Sequence, residues 1–422
     1  MQSARAERTL LLSVVHSGTT AWAAEEDAAE LLGLAQTAGA NVVASARQQI
    51  TKPHPAHLVG KGKVDEVAAL VRRHDVETVV VGEDLSPVWQ RNLEHALGAK
   101  VVDRTELILD IFAQHARSRD GQIQVELAQL RYRLPRLTGR GVYLSRLGGG
   151  IGTRGPGETQ LEIDRRRITA RISRLKKAVE RLSRIRAQQR KRRIRQKRPQ
   201  VSIVGYTNAG KSTLLNALTG ADVVVEDQLF STLDPTTRQA RLPAGEVVLF
   251  SDTVGFIQRL PETLRQAFRA TLEEVLYADL VAHVADSASP FLEDNVRTVE
   301  RVLADLGVQD ERVLLVLNKT DLVDDPAKVE ALLLRYSGSV AISARNREGL
   351  DDLLMRIQSR LREERQLVTV EIPVDEGRLI SRLRREGKVL EERLDGNRLR
   401  FRAVLPDEEV GRFRAYILGA TK

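Results

Sequence analysis

The sequence predicts an α/β protein of several domains, and three observations carry that reading. Residues 1–103 and 199–365 each alternate short β-branched runs with amphipathic segments, the pattern of strands and helices in turn. Between these stretches the apolar residues recur at helical spacing over long distances. One glycine-containing octapeptide lies between an apolar run and a helix former, the setting of a strand–loop–helix phosphate site. A chain of 422 residues exceeds one ordinary core. The pattern shifts divide it at 1–103, 104–198, 199–365 and 366–422.

Composition narrows the class. The chain has no cysteine, which excludes disulfides and thiolate metal sites and fits a reducing cytoplasm. The first apolar run, Leu10–Val15, is too short for a signal-peptide core, and no stretch approaches the roughly 18 apolar residues of a membrane span. The net charge of +9 is unevenly placed. Residues 165–198 hold 17 Lys or Arg and one acid, Glu180, a local balance of +16 that leaves the rest of the chain at −7. Exposed helix faces usually mix signs, so this segment points to a polyanion, nucleic acid above all.

In the first domain Leu10–Val15, Val42–Ala44, Thr78–Val81 and Val101–Val102 read as strands, and Glu25–Ala38, Val64–Arg73 and Trp89–Leu97 as helices. This is a small parallel α/β unit. The run Val59–Lys63 (VGKGK) is either a turn or a phosphate-holding helix start, and His54 and His57 sit between prolines as a loop.

From Arg104 the pattern becomes helical for about thirty residues, to near Pro135. Helical signal resumes with Leu161, Ile168, Ile172, Leu175, Val179 and Leu182, interrupted by Arg165, a 3.5-residue period that predicts a coiled-coil seam. The result is a helical hairpin arm, its second helix roughly 50–60 Å long, ending before Pro199. Its tip, residues 148–157, contains Gly150-Ile151-Gly152-Thr153-Arg154-Gly155, a literal G-x-G-x-x-G. A dinucleotide fingerprint would follow a strand and open a helix. Here long helices flank it and Pro156-Gly157 interrupts an immediate helix start, so the glycines read as a loop free of side-chain bulk that threads between RNA elements.

The third domain carries the chemistry. Its strands are expected at Val201–Val204, Val247–Phe250, Leu280–Ala285, Val313–Leu317 and Val340–Ile342. Gly205-Tyr206-Thr207-Asn208-Ala209-Gly210-Lys211-Ser212 is a full G-x-x-x-x-G-K-[ST] between strand and helix. Its backbone N–H groups wrap phosphates, Lys211 reaches the β and γ oxygens, and Ser212 offers a hydroxyl to Mg²⁺. Asp252-Thr253-Val254-Gly255 follows the next strong strand; Asp252 reaches the Mg²⁺ shell through water and Gly255 offers its N–H to a γ-phosphate. Asn318-Lys319-Thr320-Asp321 supplies a carboxylate for guanine N1–H and N2–H, and Ser343-Ala344-Arg345 a backbone N–H for O6. Four such motifs in order, each at a strand's C-terminal end, specify a guanine-nucleotide hydrolase. The metal-ligating threonine of its first switch is expected within 229–235, where Phe230, Ser231, Thr232, Leu233 and Asp234 are the candidate GTP contacts; Thr232 is preferred to Thr236 or Thr237.

Phe256 follows Gly255, where many such enzymes carry a water-orienting glutamine. Asn208 is therefore expected to hold a monovalent cation, K⁺, beside the phosphates, joining Lys211, Thr232 and Gly255 as the catalytic set. Residues 366–422, opening QLVTVEIPV, read as two strand-then-helix units. No zinc-ligand set or His–acid pair marks a second reaction centre.

With these residues assembled, the chain resembles the HflX family of translation-factor-related GTPases over nearly its whole length. The resemblance rests on RTELILDIFAQHARSRDGQIQVELAQLRYRLPRL, GGGIGTRGPGETQLEIDRRRI, FSTLDPTTR and DTVGFIQRLP. It implies an N-terminal α/β domain with a coiled-coil arm, a Ras-like GTPase domain and a small α/β C-terminal domain. It also implies binding to the large ribosomal subunit, GTP-dependent splitting or rescue of stalled ribosomes, and entry of the tip toward the peptidyl-transferase centre. Thr232 matches the family's switch threonine. Arg345 departs from the broader GTPase pattern, where lysine is commoner. The expected RNA contacts are Arg154, Arg165, Arg166, Arg167, Arg171 and Arg174, with a cytoplasmic monomer as the working unit.

Overall fold

The computed structural model describes residues 6–137, 156–195, 198–220, 230, 236–253, 255–256, 274–363 and 365–420. Arg154, Ser231, Thr232, Leu233, Asp234 and Val254 lie outside the described residues, as does the tip loop up to Gly155.

The first domain runs β1 (Arg8–His16), α1 (Ala21–Thr37), β2 (Asn41–Ile50), α2 (Lys61–Arg73), β3 (Thr78–Val81), α3 (Pro87–Leu97) and β4 (Lys100–Asp103). Its four strands form a parallel sheet in the order β2-β1-β3-β4. Both faces are covered, which is why the central strands are uninterrupted apolar runs. Leu11 and Val80 pack on one face, while Leu10, Leu12, Val79 and Val81 pack on the other. The edge strand β2 is longer than Val42–Ala44, because Ser45, Arg47, Gln48 and Gln49 continue its pairing with β1 while reading as polar sequence. The loop before α2 holds His54 and His57 with rings 5.8 Å apart, and Trp89 Nε1 donates to the Pro55 carbonyl at 2.8 Å.

The arm departs from expectation at two places. The long helix is two helices, α4 (Arg104–His115) and α5 (Arg119–Arg136). Ala116 is extended, and Ser118 Oγ accepts from Gly121 N at 3.0 Å to cap α5. Next, α6 (Pro156–Arg195) starts at Pro156 itself. Proline lacks only an N–H that a first turn leaves unused, so it opens the helix instead of interrupting it. With 40 residues α6 is about 60 Å long. Ile168, Ile172, Leu175 and Val179 lie against Ile123, Leu127, Leu130 and Leu134, the seam the 3.5-residue period predicts.

The second sheet has the order β10-β9-β8-β5-β7-β6. It is built from β5 (Gln200–Gly205), β6 (Thr236–Arg241), β7 (Val247–Asp252), β8 (Leu280–Asp286), β9 (Val313–Asn318) and β10 (Val340–Ala341). All neighbours are parallel except β6, antiparallel to β7. Among the described residues, α7 (Lys211–Thr219), α8 (Leu292–Leu306), α9 (Pro326–Arg335) and α10 (Leu350–Glu363) are longer helices of the unit. Strand β6, TTRQAR, buries only Ala240 and carries no apolar run to announce it.

The last unit is β11 (Arg365–Pro373), α11 (Gly377–Glu386), β12 (Lys388–Asp395), β13 (Arg398–Pro406), α12 (Asp407–Phe413) and β14 (Ile417–Ala420). Its antiparallel sheet, β12-β13-β11-β14, is a split βαβ arrangement. The expected two strand–helix units are joined here by a β12–β13 hairpin, turned at Gly396-Asn397 with Gly396 at φ +58. No helix among the described residues is long and apolar enough to cross a membrane.

Candidate nucleotide site

The octapeptide 205–212 connects β5 to α7 at the C-terminal end of the second sheet, the edge where parallel α/β sheets bind ligands. Its glycines are required by contact. A Cβ on Gly205 would collide with the Val284 carbonyl, and one on Gly210, at φ +91, with Asn318 Nδ2. Asn208 is exposed at the loop's crest with φ +60.

Beneath the loop Lys211 is only 7% exposed, and its Nζ donates to the Tyr206 carbonyl at 2.8 Å. Burial lowers its ammonium to about 8, nearby Lys319 adding to the fall and Asp252 opposing it. Ser212 Oγ donates to Asp252 Oδ2 at 2.7 Å, bringing together the hydroxyl and carboxylate expected around Mg²⁺. These are hard oxygen donors, and they fit that ion. Thr253 is fully buried and turned away, donating to the Ile203 carbonyl at 2.9 Å.

Gly255 lies against the loop so closely that a Cβ would come within 2.9 Å of Thr207 Cγ2 and 3.0 Å of Lys211 Nζ. Phe256 N donates to Gly205 O at 3.0 Å and Thr207 N to Phe256 O at 2.8 Å, tying this segment to the loop. The Phe256 ring is buried among Val204, Val275, Val281 and Val299. It is a core residue.

The motifs expected to recognise the base converge on Asn318. Its Nδ2 donates to Ala209 O at 2.8 Å, and its Oδ1 accepts from Ala344 N at 3.0 Å. One buried amide thus ties the phosphate loop to the Ser343-Ala344-Arg345 loop. Ser343 Oγ donates to Asp321 Oδ1 at 2.6 Å, orienting the carboxylate expected to read guanine. Asp321 itself is exposed, as is Arg345. Lys319, at φ +65, pairs with Asp286 at 2.8 Å. Thr320 N donates to the Ile342 carbonyl at 3.2 Å, closing the turn beside it.

Other expected residues serve elsewhere. Phe230 is 2% exposed and packs edge-on to Phe112 of α4, with ring centroids 4.7 Å apart, in the core of the first domain. Its side chain is therefore a packing element. Thr236 and Thr237 lie in β6, Thr237 Oγ1 within 3.0 Å of Ser251 Oγ. On the arm Arg165, Arg166, Arg167, Arg171 and Arg174 are all exposed. Arg171 is held by Glu126 through bonds of 2.7 and 2.8 Å. Arg166 pairs with Glu162 at 2.5 Å, and Arg167 with Asp164 at 3.9 Å.

Sequence reasoning missed Glu30, Arg104 and His283. His283, buried on β8 near Lys211, is lowered by burial, then by that lysine, to about 3, and is neutral at physiological pH. Glu30 lies on α1, and the hydroxyl of Tyr206 donates to its carboxylate. Nothing in the local sequence distinguishes it from the acids of a solvated helix face.

Three family models match the chain in succession. Residues 25–113 match the one described as GTP-binding GTPase N-terminal, residues 115–193 the GTP-binding GTPase Middle Region, and residues 200–319 the 50S ribosome-binding GTPase. The chain is 48% identical to GTPase HflX of Caldanaerobacter subterraneus subsp. tengcongensis, over 98% of this chain and 94% of that one. It is 44% identical to GTPase HflX of Escherichia coli, over 85% and 84% of the two chains. Among solved structures, a GTP-binding protein from Sulfolobus solfataricus in complex with GDP is 26% identical, with a TM-score of 0.46, covering 84% of this chain and 99% of that one.

Proposed function

Because the chain belongs to the HflX family of GTPases, we propose that it acts on the large ribosomal subunit, splitting or rescuing stalled ribosomes in a GTP-dependent manner, with its basic arm against ribosomal RNA. The observation that carries the reading is the exposed arginine face of α6, a 40-residue helix in a chain whose remainder is net acidic. The match of residues 200–319 to a 50S ribosome-binding GTPase model supports the same partner.

In this reading the amides of 205–212 and Lys211 hold the β- and γ-phosphates of GTP, and Asp321, oriented by Ser343, selects guanine. Ser212, Thr232 and Asp252 are the residues that would hold Mg²⁺, which would supply charge neutralisation at the phosphates. Gly255 offers its N–H to the γ-phosphate. The ring of Phe256 is in the core, so water is oriented by something else. Asn208, exposed at the crest of the loop, would help hold K⁺ there in this reading. The expected setting is the cytoplasm, and the working unit a monomer.

Sedimentation of purified ribosomes with the protein tests the proposal. Association with the large subunit is expected with GTP or a non-hydrolysable analogue and not with GDP. Nucleotide-independent sedimentation would defeat it, and equal hydrolysis in potassium and sodium salts would remove K⁺ from the scheme.

A further inference from the structure

The first domain and the phosphate loop are joined by side chains outside every nucleotide motif. Tyr206, the second residue of the loop, donates its hydroxyl to Glu30 on α1. Glu30 also pairs with Arg104, the first residue of α4, and Arg104 meets Asp27 at 3.0 Å. Arg104 is 2% exposed, so its guanidinium depends on these carboxylates and holds them in return. The carbonyl of Tyr206 is the acceptor for Lys211 Nζ, so the grip on its ring is one residue's width from the phosphate-binding lysine.

The same junction reaches the arm. Asp103, fully buried beside Arg104, caps α4 by accepting from Glu106 N at 2.8 Å and receives Arg136 Nη2 at 2.9 Å. Arg136 closes α5, stacks on the Tyr132 ring at 3.4 Å and donates through Nε to Gln90 at 2.9 Å. The two domains also touch through Trp22 and Phe291, ring centroids 5.1 Å apart, and through the Phe230–Phe112 contact.

We infer that Glu30 is a positioning residue for the phosphate loop, and that the consecutive residues Asp103 and Arg104 link its grip to the root of the arm at Arg136. A loop that wraps phosphates with backbone amides works only while that backbone is held in place. Glu30 holds it from outside the nucleotide domain. Its carboxylate is shared between Tyr206 and Arg104, so a shift of the loop pulls on the first turn of α4. That turn is fixed at its cap by Asp103, which the last residue of α5 grips. The link needs only guanine nucleotide and no ribosome, so it stands or falls independently of the proposed partner.

The test uses the full-length chain. Tyr206→Phe deletes one hydroxyl and leaves the Glu30–Arg104 pair in place. GDP release is expected to accelerate about fivefold to tenfold, the worth of one such hydrogen bond, with kcat for GTP falling more than KM changes. Glu30→Gln should reproduce this, and the double variant should be no faster than either single one. Wild-type GDP release and kcat in Tyr206→Phe would overturn the assignment, and that variant decides the matter alone if Glu30→Gln fails to fold. Arg136→Gln should accelerate release in the wild-type background and leave Tyr206→Phe unchanged. Equal effects in both backgrounds, or none in either, would overturn the link to the arm.

Discussion

Lys211 lies beneath the phosphate loop with its ammonium lowered by burial to about 8, against an ordinary value of 10.5. The unfolded chain therefore binds more protons than the folded one between pH 8 and 10.5, and stability rises with pH across that window as the cost of a buried cation is relieved. Phosphates favour the charged form, so nucleotide binding should draw in a proton wherever the lysine is partly neutral. Calorimetry of GDP binding at pH 8.5, in two buffers of different ionisation enthalpy, should show uptake of a fraction of a proton, and at pH 6.5 none from this group. Absence of uptake at pH 8.5 would contradict the lowered value. The convergence of Lys211, Ser212, Asp252 and Asn318 was legible from sequence because their motifs fall in order at the C-terminal ends of successive strands. Glu30 and Arg104 were not, because a pair separated by 74 positions in the chain leaves no local pattern.

At the scale of elements, the arm shows what a periodic signal does and does not carry. The seam of α5 and α6 is written in the 3.5-residue spacing of Ile168, Ile172, Leu175 and Val179. It is a thin contact: Leu127, Ile172 and Leu175 are its fully buried members. Leu175→Ala should therefore destabilise the arm by about 2 kcal/mol or more, read as an earlier loss of helical signal in denaturant with GDP affinity retained. An unchanged transition would mean that the seam contributes no stability. The break between α4 and α5 was hidden because both helices are apolar at the same spacing, and only the Ser118 cap marks the joint. Strands β6 and β12 were missed for a different reason. Each is an edge strand of its sheet, and its exposed positions take polar residues that erase the alternation.

Across the whole molecule, charge is segregated: one helix carries most of the excess cation while the remaining chain is net acidic. Binding of the arm to ribosomal RNA should then weaken steeply with salt, because each phosphate contact releases counterions. Replacing Arg165 and Arg174, both exposed, together by alanine should reduce the slope of log affinity against log salt by roughly 2. Arg171→Ala should change it little, because Glu126 already neutralises that guanidinium. A loss from Arg171→Ala equal to the loss per arginine in the other variant would show that the internal pair does not matter. The two parallel sheets were legible at this scale, since strands covered on both faces must be apolar throughout. The contacts between those sheets were not, because they rest on single residues.

Phe230 gives those contacts a consequence for inheritance. It belongs by sequence to the nucleotide domain, yet its ring completes the hydrophobic core of the first domain beside Phe112. The two domains are thus not interchangeable modules. A first domain without an aromatic partner at position 112 would leave the ring of Phe230 without the contact that seats it. Recombination between relatives should preserve position 230 together with 112, so the functional boundary between the domains does not coincide with any cut in the chain.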